Sequence, residues 1–218
     1  MVQKNNKPPA AAKIAAPAAP KRRGRPRAYE PEVALAKALD LFRRDGFAAT
    51  SLDDLSAATG MNRPSLYGAF GDKRELYIKS YQRYRDDARA AMADIFRSDA
   101  PLRERLKRIY AIALDIYTGG ESPRGCFTVM TAASEAVSDP AIRAMVLEGF
   151  VELDKAFAIC FRLAKERGEL PGSADPTVLA HLASATIHTI AIRARARVPR
   201  KELEAIVQGA IDVMCGAK

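Results

Sequence analysis

Residues 51–73 read SLDDLSAATGMNRPSLYGAFGDK, and this stretch decides the fold. Thr50 and Ser51 are hydroxyl residues suited to accepting the free N–H groups of a helix start, and Asp54 stands three after Ser51 as a capping box requires. Leu52, Leu55 and Ala58 then share one face, with Asp53, Asp54 and Ala57 on the other, which predicts a short helix to Thr59. Gly60 follows, the residue best able to adopt the left-handed conformation that ends a helix. Asn62 is a good cap for a second helix, and Pro64 falls in its first turn, where a missing N–H is not needed. Leu66 and Phe70, four apart, turn inward. Arg63, Ser65, Tyr67, Gly68 and Ala69 are left to face outward or sideways.

Two short helices joined by a sharp turn, the second presenting Arg, Ser and Tyr near its start, match what a recognition helix in the major groove of DNA needs. Arg63 has the fork for a bidentate pair with guanine, and Ser65 can serve several bases or a phosphate. Tyr67 has the reach for a phosphate oxygen, while Gly68 and Ala69 permit close approach. Lys73 stands at the start of the next helix, where its charge adds to the helix terminus in holding phosphate. A small packing unit with a solvated polar face would share much of this pattern, but not the agreement of caps, turn and outward residues. Upstream, Leu35, Ala38, Leu39 and Phe42 recur at helical spacing from about Pro31 to Asp45, with Gly46 and Phe47 after them. That first helix supplies the support for the pair.

The segment from Gly46 to Leu76, with Thr50-Ser51-Leu52-Asp53-Asp54-Leu55, Gly60-Met61-Asn62-Arg63-Pro64-Ser65-Leu66-Tyr67 and Phe70-Gly71-Asp72-Lys73, resembles the tetracycline-repressor (TetR) family of bacterial transcription regulators. The likeness covers roughly residues 25 to 85. It implies that Thr50 or Ser51, Tyr67 and Lys73 hold phosphates and that Asn62, Arg63, Pro64 and Ser65 lie near bases. Gly68 and Ala69 are smaller than the groups many members carry there, so Arg63 takes a larger share of the reading. The resemblance further implies an all-α second domain that dimerises and often encloses a small ligand.

The formal net charge of +9 is unevenly placed. Residues 1 to 27 hold eight Lys or Arg and no acid, whereas the other 191 residues hold 27 basic and 26 acidic side chains. Met1 to Pro20, dominated by Ala, Pro and Lys, reads as disordered and too interrupted at Lys13 and Pro17 for a signal peptide. Lys21-Arg22-Arg23-Gly24-Arg25-Pro26-Arg27 looks like the core of an AT-hook, which would lay Arg25 and Arg27 in a narrow minor groove of A·T-rich DNA. A solvated charge run is the plainer alternative. No apolar run nears the roughly 18 residues that span a membrane, and a cytoplasmic protein is expected.

Beyond Lys73 the pattern is helical with no convincing strand. We expect a fourth helix to Phe96, a fifth over Leu102–Thr118, a sixth from Gly125 to Val137, a seventh from Pro140 to about Arg167, an eighth to about Arg197 and a ninth from Pro199. The predicted class is all-α: a disordered basic tail (1–27), a three-helix DNA-binding domain (28–76) and a six-helix effector-binding and dimerisation domain (77–218). Leu179, Leu182, Ala183, Thr186 and Ile190, with Leu203, Ile206, Val207, Ala210, Ile211 and Met214, form apolar stripes on the last two helices, the best dimer candidates, the alternative being that these faces pack wholly within the subunit. A two-fold dimer would read an inverted repeat. Tyr117, Phe127, Met130, Thr131, Phe157, Phe161 and His188 are the residues expected near an effector pocket, mixing aromatic walls with a few polar groups, although side chains of each kind are more often plain core than pocket lining.

No catalytic constellation emerges: there is no P-loop, no Gly-x-Ser-x-Gly elbow and no Cys-x-x-Cys pair. His181 and His188 are seven apart on one helix, about 10.5 Å of rise, too far to share one metal ion, and no cofactor is expected. Cys126, Cys160 and Cys215 are odd in number and scattered, as in a reducing compartment. The reading is a homodimeric repressor that binds double-stranded DNA, does no chemistry of its own and is released by a small effector. Two alternatives remain: an architectural nucleoid protein working through the tail, and a redox-responsive regulator in which Arg124 lowers the pKa of Cys126.

Overall fold

The computed structural model describes residues 30–120 and 124–216, so the basic tail with Arg25 and Arg27 lies outside the described residues. Helix α1 spans Pro31–Ala49 and buries Ala34, Ala38, Leu39, Leu41 and Phe42. Its regular part ends where the sequence predicts. Gly46, at φ 83° and ψ 175°, kinks the backbone, and one further turn runs on to Ala49. Helix α2 (Leu52–Thr59) carries the expected capping box: the Asp54 amide donates to Ser51 Oγ at 3.1 Å and the Ser51 amide to Asp54 Oδ2 at 2.8 Å. Gly60 is left-handed at φ 75°. Helix α3 (Arg63–Phe70) is capped by Asn62, whose Oδ1 accepts from the Ser65 amide at 2.9 Å.

Helices of eight residues are far below the length that is stable alone, about 12–15 residues. Packing therefore holds them. Leu55, Leu66 and Phe70 are buried, as expected, and Met61 of the turn joins them, its amide donating to Thr59 Oγ1 at 3.2 Å. Each such side chain withdrawn from water is worth about 1.5–3 kcal/mol, several times the differences in helix propensity among residues other than Gly and Pro.

Helix α4 (Lys73–Arg97) starts from a second capping box, Asp72 with Glu75. It is followed by α5 (Leu102–Thr118), α6 (Phe127–Ala133), α7 (Glu135–Ser138), α8 (Pro140–Glu166), α9 (Pro176–Arg195) and α10 (Arg200–Cys215). No strand occurs among the described residues. Helix α4 packs on α1 and also on α5, α6 and α8, so it joins the two halves of the molecule. Tyr77 is the hub: its ring meets Phe42 and Phe47 of α1 edge-on at 5.1 Å each, and Phe127 of α6 at 5.2 Å.

The single sixth helix expected over 125–137 is divided, which makes seven helices after α3 where six are predicted. Ser134 leaves the helical region at φ −123°, ψ −89°. Its hydroxyl bonds the Met130 carbonyl at 2.8 Å and the Glu135 carboxylate. That carboxylate also accepts from the Tyr77 hydroxyl at 2.8 Å, which bonds Thr131 Oγ1 at the same distance. Serine offers the backbone a local alternative to the helix, and this anchored acid fixes it. Before α6 the chain squeezes past α9 at Gly125, where φ is +65° and an added Cβ would lie 2.8 Å from the Ala191 carbonyl.

Candidate nucleic-acid interface and effector cavity

Helices α2 and α3 place most of the predicted DNA-side residues on one open surface. Ser51, Asn62, Arg63, Pro64 and Tyr67 are exposed, and Ser65 is half-buried. Three of the set have partners within the chain. Thr50 is 1 % exposed and its hydroxyl donates to the Gly46 carbonyl at 2.6 Å, so of the hydroxyl pair only Ser51 reaches the surface. Thr50 serves the fold instead, closing the turn between α1 and α2. The Lys73 ammonium rests 4.3 Å from the centroid of the Phe47 ring. Arg63 is also not free: it forms a two-point ion pair with Asp53. Nothing in the local pattern announces that pair, since the two residues belong to different helices.

A cavity of about 510 Å³ opens between α4, α8 and α9. Met92, Phe96, Phe150, Leu153 and Ile159 give it apolar walls, and Arg85, Arg89, Arg97 and Lys155 with Glu152 supply its charged lining. Tyr84, Tyr117 and Cys126, with Thr128 and His188, add further polar groups. Of the predicted pocket residues, Tyr117 and His188 line it. Phe127, Phe157, Phe161 and Thr131 do not: each is 0 % exposed and packed as core, Phe127 among tyrosine rings and Phe157 against Phe96 and Tyr110. Met130 is half-buried away from the cavity. The missed wall was legible in one respect, for Tyr84, Ala88, Met92 and Phe96 recur every fourth residue along α4 and so share a face.

The Tyr84 hydroxyl donates to Cys126 Sγ at 3.4 Å, and burial raises the pKa of both Tyr84 and Tyr117. Arg124, expected beside the thiol, instead pairs with Asp40 of α1. The His188 ring lies 5.0 Å from the Phe150 ring and tilted 58° to it, and burial lowers its pKa below 6.5 against a smaller opposing pull from Asp154. The unfolded chain therefore takes up this proton at a higher pH than the folded one. His188 should titrate below 6.5 by NMR, and folding stability should decline as pH falls below 6.5 towards that folded midpoint. His188→Gln should remove that decline. A midpoint at or above 6.5 would contradict the buried, neutral imidazole.

Three arginines fasten the cavity wall to α1. Arg43 Nη2 donates to the carbonyls of Ile116 at 2.9 Å and Gly125 at 3.2 Å, each one residue from a cavity residue, and its guanidinium lies 5.1 Å from the Tyr84 ring centroid. Arg124 adds the pair with Asp40. Arg195 of α9 donates to the carbonyls of Arg43 at 3.1 Å and Arg124 at 3.3 Å. Arg74 of α4 joins the α8 cap residue Asp139 at 2.5 Å, which holds that carboxyl down at about 2.

The predicted dimer stripe is mostly interior. Ala183, Ile190, Leu203, Val207, Ile211 and Met214 are buried within the subunit, where α9 and α10 pack on α5. Leu179, Thr186, Ile206 and Ala210 are half-buried, and Leu182 alone of the set is exposed. The outward face is a neighbouring one: Val178, Leu182, Ala185 and Ile192 on α9, with Ala205, Gly209 and Val213 on α10. Among the described residues no cluster of three or more His, Cys, Asp or Glu is placed to hold a metal, and no helix is long and apolar enough to cross a membrane.

An exposed helix-turn-helix pair set on an all-helical body with its own cavity defines a DNA-binding regulator. Residues 34–79 match the model of the bacterial regulatory proteins of the tetR family, and residues 103–210 match a tetracyclin repressor-like C-terminal domain. The HTH-type transcriptional repressor ComR of Escherichia coli (strain K12) is 34 % identical over 178 residues, covering 80 % of this chain and 84 % of ComR. The transcriptional repressor BdcR of the same strain is 36 % identical over 106 residues, covering 49 % of this chain and 54 % of BdcR. A cysteine mutant of the regulator CifR, solved with 26 bp of double-strand operator DNA, superposes with a TM-score of 0.79 at 29 % identity, covering 86 % of this chain and 98 % of CifR. The chain belongs to the TetR family of DNA-binding transcriptional regulators.

Proposed function

We propose that the protein is a cytoplasmic homodimeric repressor without enzymatic activity, held on an inverted-repeat operator and released when a small, largely apolar effector enters the cavity between α4, α8 and α9. The observation that carries this reading is the path from cavity to α1. Arg43 grips the carbonyls beside Tyr117 and Cys126, so an effector that displaces these residues also shifts the support of α2 and α3. Effector and operator then oppose each other, because each favours a different placing of that support. Ser51, Tyr67 and Lys73 are assigned to phosphates, and Asn62, Arg63, Pro64 and Ser65 to the major-groove edge. The outward apolar face of α9 and α10 is assigned to the partner subunit, with Ala205 and Gly209 allowing close approach. Arg25 and Arg27 are assigned to the flanking minor groove.

Selection of bound sequences from a random duplex library by the full-length protein tests the reading. An inverted repeat is expected, with A·T-rich flanks if the arm contributes. Recovery of A·T-rich sequence without a repeat would replace the operator-specific dimer with architectural binding through the tail.

A further inference from the structure

Arg63 Nε donates to Asp53 Oδ1 at 3.0 Å, and Nη2 donates to Oδ2 at 2.6 Å. The contact joins the first residue of α3 to the second of α2. Both side chains stay open to water, 54 % and 75 % exposed. A pair so exposed adds little to folding, so stability does not account for the arrangement. What it fixes is the direction of the guanidinium.

A guanidinium presents five N–H donors in one plane. The carboxylate occupies the edge made by Nε and one hydrogen of Nη2. The end made by Nη1 and the other hydrogen of Nη2 remains a complete fork, two parallel donors of the kind that O6 and N7 of guanine accept. Arg63 can therefore read a base while Asp53 still holds it. An untied arginine would sample many rotamers and would settle on the phosphates flanking the groove as readily as on a base edge. The carboxylate also offsets the attraction of Arg63 to phosphate and itself repels the DNA backbone. It weakens binding to every duplex while restricting what Arg63 can do, which is how a protein gains discrimination at the expense of general affinity.

We propose that Asp53 is a positioning residue that sets sequence discrimination through Arg63. This rests on the assignment of Arg63 to base edges made above. The test uses the full-length protein, the selected operator, its single-base variants and random duplex, with Asp53→Ala, Asp53→Asn, Arg63→Ala and the double variant. Thermal melts confirm that each variant folds. Arg63→Ala is expected to erase the preference at one position of each half-site. Asp53→Ala and Asp53→Asn are expected to lower the preference at that same position about two- to fivefold, while affinity for random duplex rises. Asp53→Ala added to Arg63→Ala should then change that preference no further. Unchanged preference in both Asp53 variants overturns the proposal, and so does a sharpened preference, which would make Asp53 a latch that keeps Arg63 off the bases. Arg63→Ala with every base preference intact overturns instead the assignment of Arg63 to base edges.

Discussion

Replacing Phe127 by alanine is expected to take away most of the protein's stability and, with it, DNA binding. The ring is 0 % exposed and meets Tyr77, Tyr81 and Tyr84 edge-on at 5.2, 5.9 and 5.9 Å. A buried Phe→Ala change costs about 3–5 kcal/mol in transfer and cavity terms. Aromatic pairs of this geometry add about 0.5–1.5 kcal/mol each when taken singly, and less than their sum when one ring is shared. Against a net stability of about 5–15 kcal/mol, such a loss leaves little. The damage is also central, because Tyr77 carries Phe42 and Phe47 of α1 on its other sides. Urea unfolding should show the midpoint of Phe127→Ala far below that of the parent, with Phe127→Leu in between. A loss under about 1 kcal/mol would mean that the site collapses around the gap, contrary to close packing.

The second large effect has the opposite sign. Arg105 on α5 is 0 % exposed, and none of its three guanidinium nitrogens has a hydrogen-bond partner among the described residues. Its charge reaches Cys160 of α8, where it partly offsets the burial that pushes the thiol up to about 11. Holding a charged group out of water costs several kcal/mol unless close partners compensate, and replacing even a buried ion pair by apolar side chains of similar volume is often neutral or stabilising, by about 1–4 kcal/mol. Arg105→Met keeps most of the length and removes the charge. For a chain of this size each kcal/mol moves Tm by about 2–4 °C, so calorimetry should show a rise of several degrees. Arg105→Ala should gain less or lose, since it leaves a void. A lowered Tm in Arg105→Met would show that the guanidinium is satisfied in solution and contributes to the fold.

The sequence carried the DNA-binding half to a useful depth. Ser51 with Asp54, Gly60, Asn62 and Pro64 act within four residues of themselves, so their meaning is complete in the local chain. The inward turn of Leu55, Leu66 and Phe70 followed from helical period alone. The second half was legible as helices but not as surfaces. Ile190, Leu203 and Ile211 looked like an interface because an apolar stripe reads the same whether it meets a partner subunit or another helix of its own chain. Phe157 and Phe161 looked like a pocket wall because aromatic side chains fill cores as readily as they line cavities.

What the sequence by itself determined was therefore the helical class, the caps and turn of the reading pair, and the family those motifs carry. Only the tertiary structure decided that Asp53 holds Arg63, that Arg43 bridges 73 and 82 residues to grip Ile116 and Gly125, and that α9 and α10 turn a different face outward. The physical reason is range. Caps and periods are fixed by neighbours a few bonds away, whereas ion pairs, cavities and free faces depend on which distant segments packing brings together.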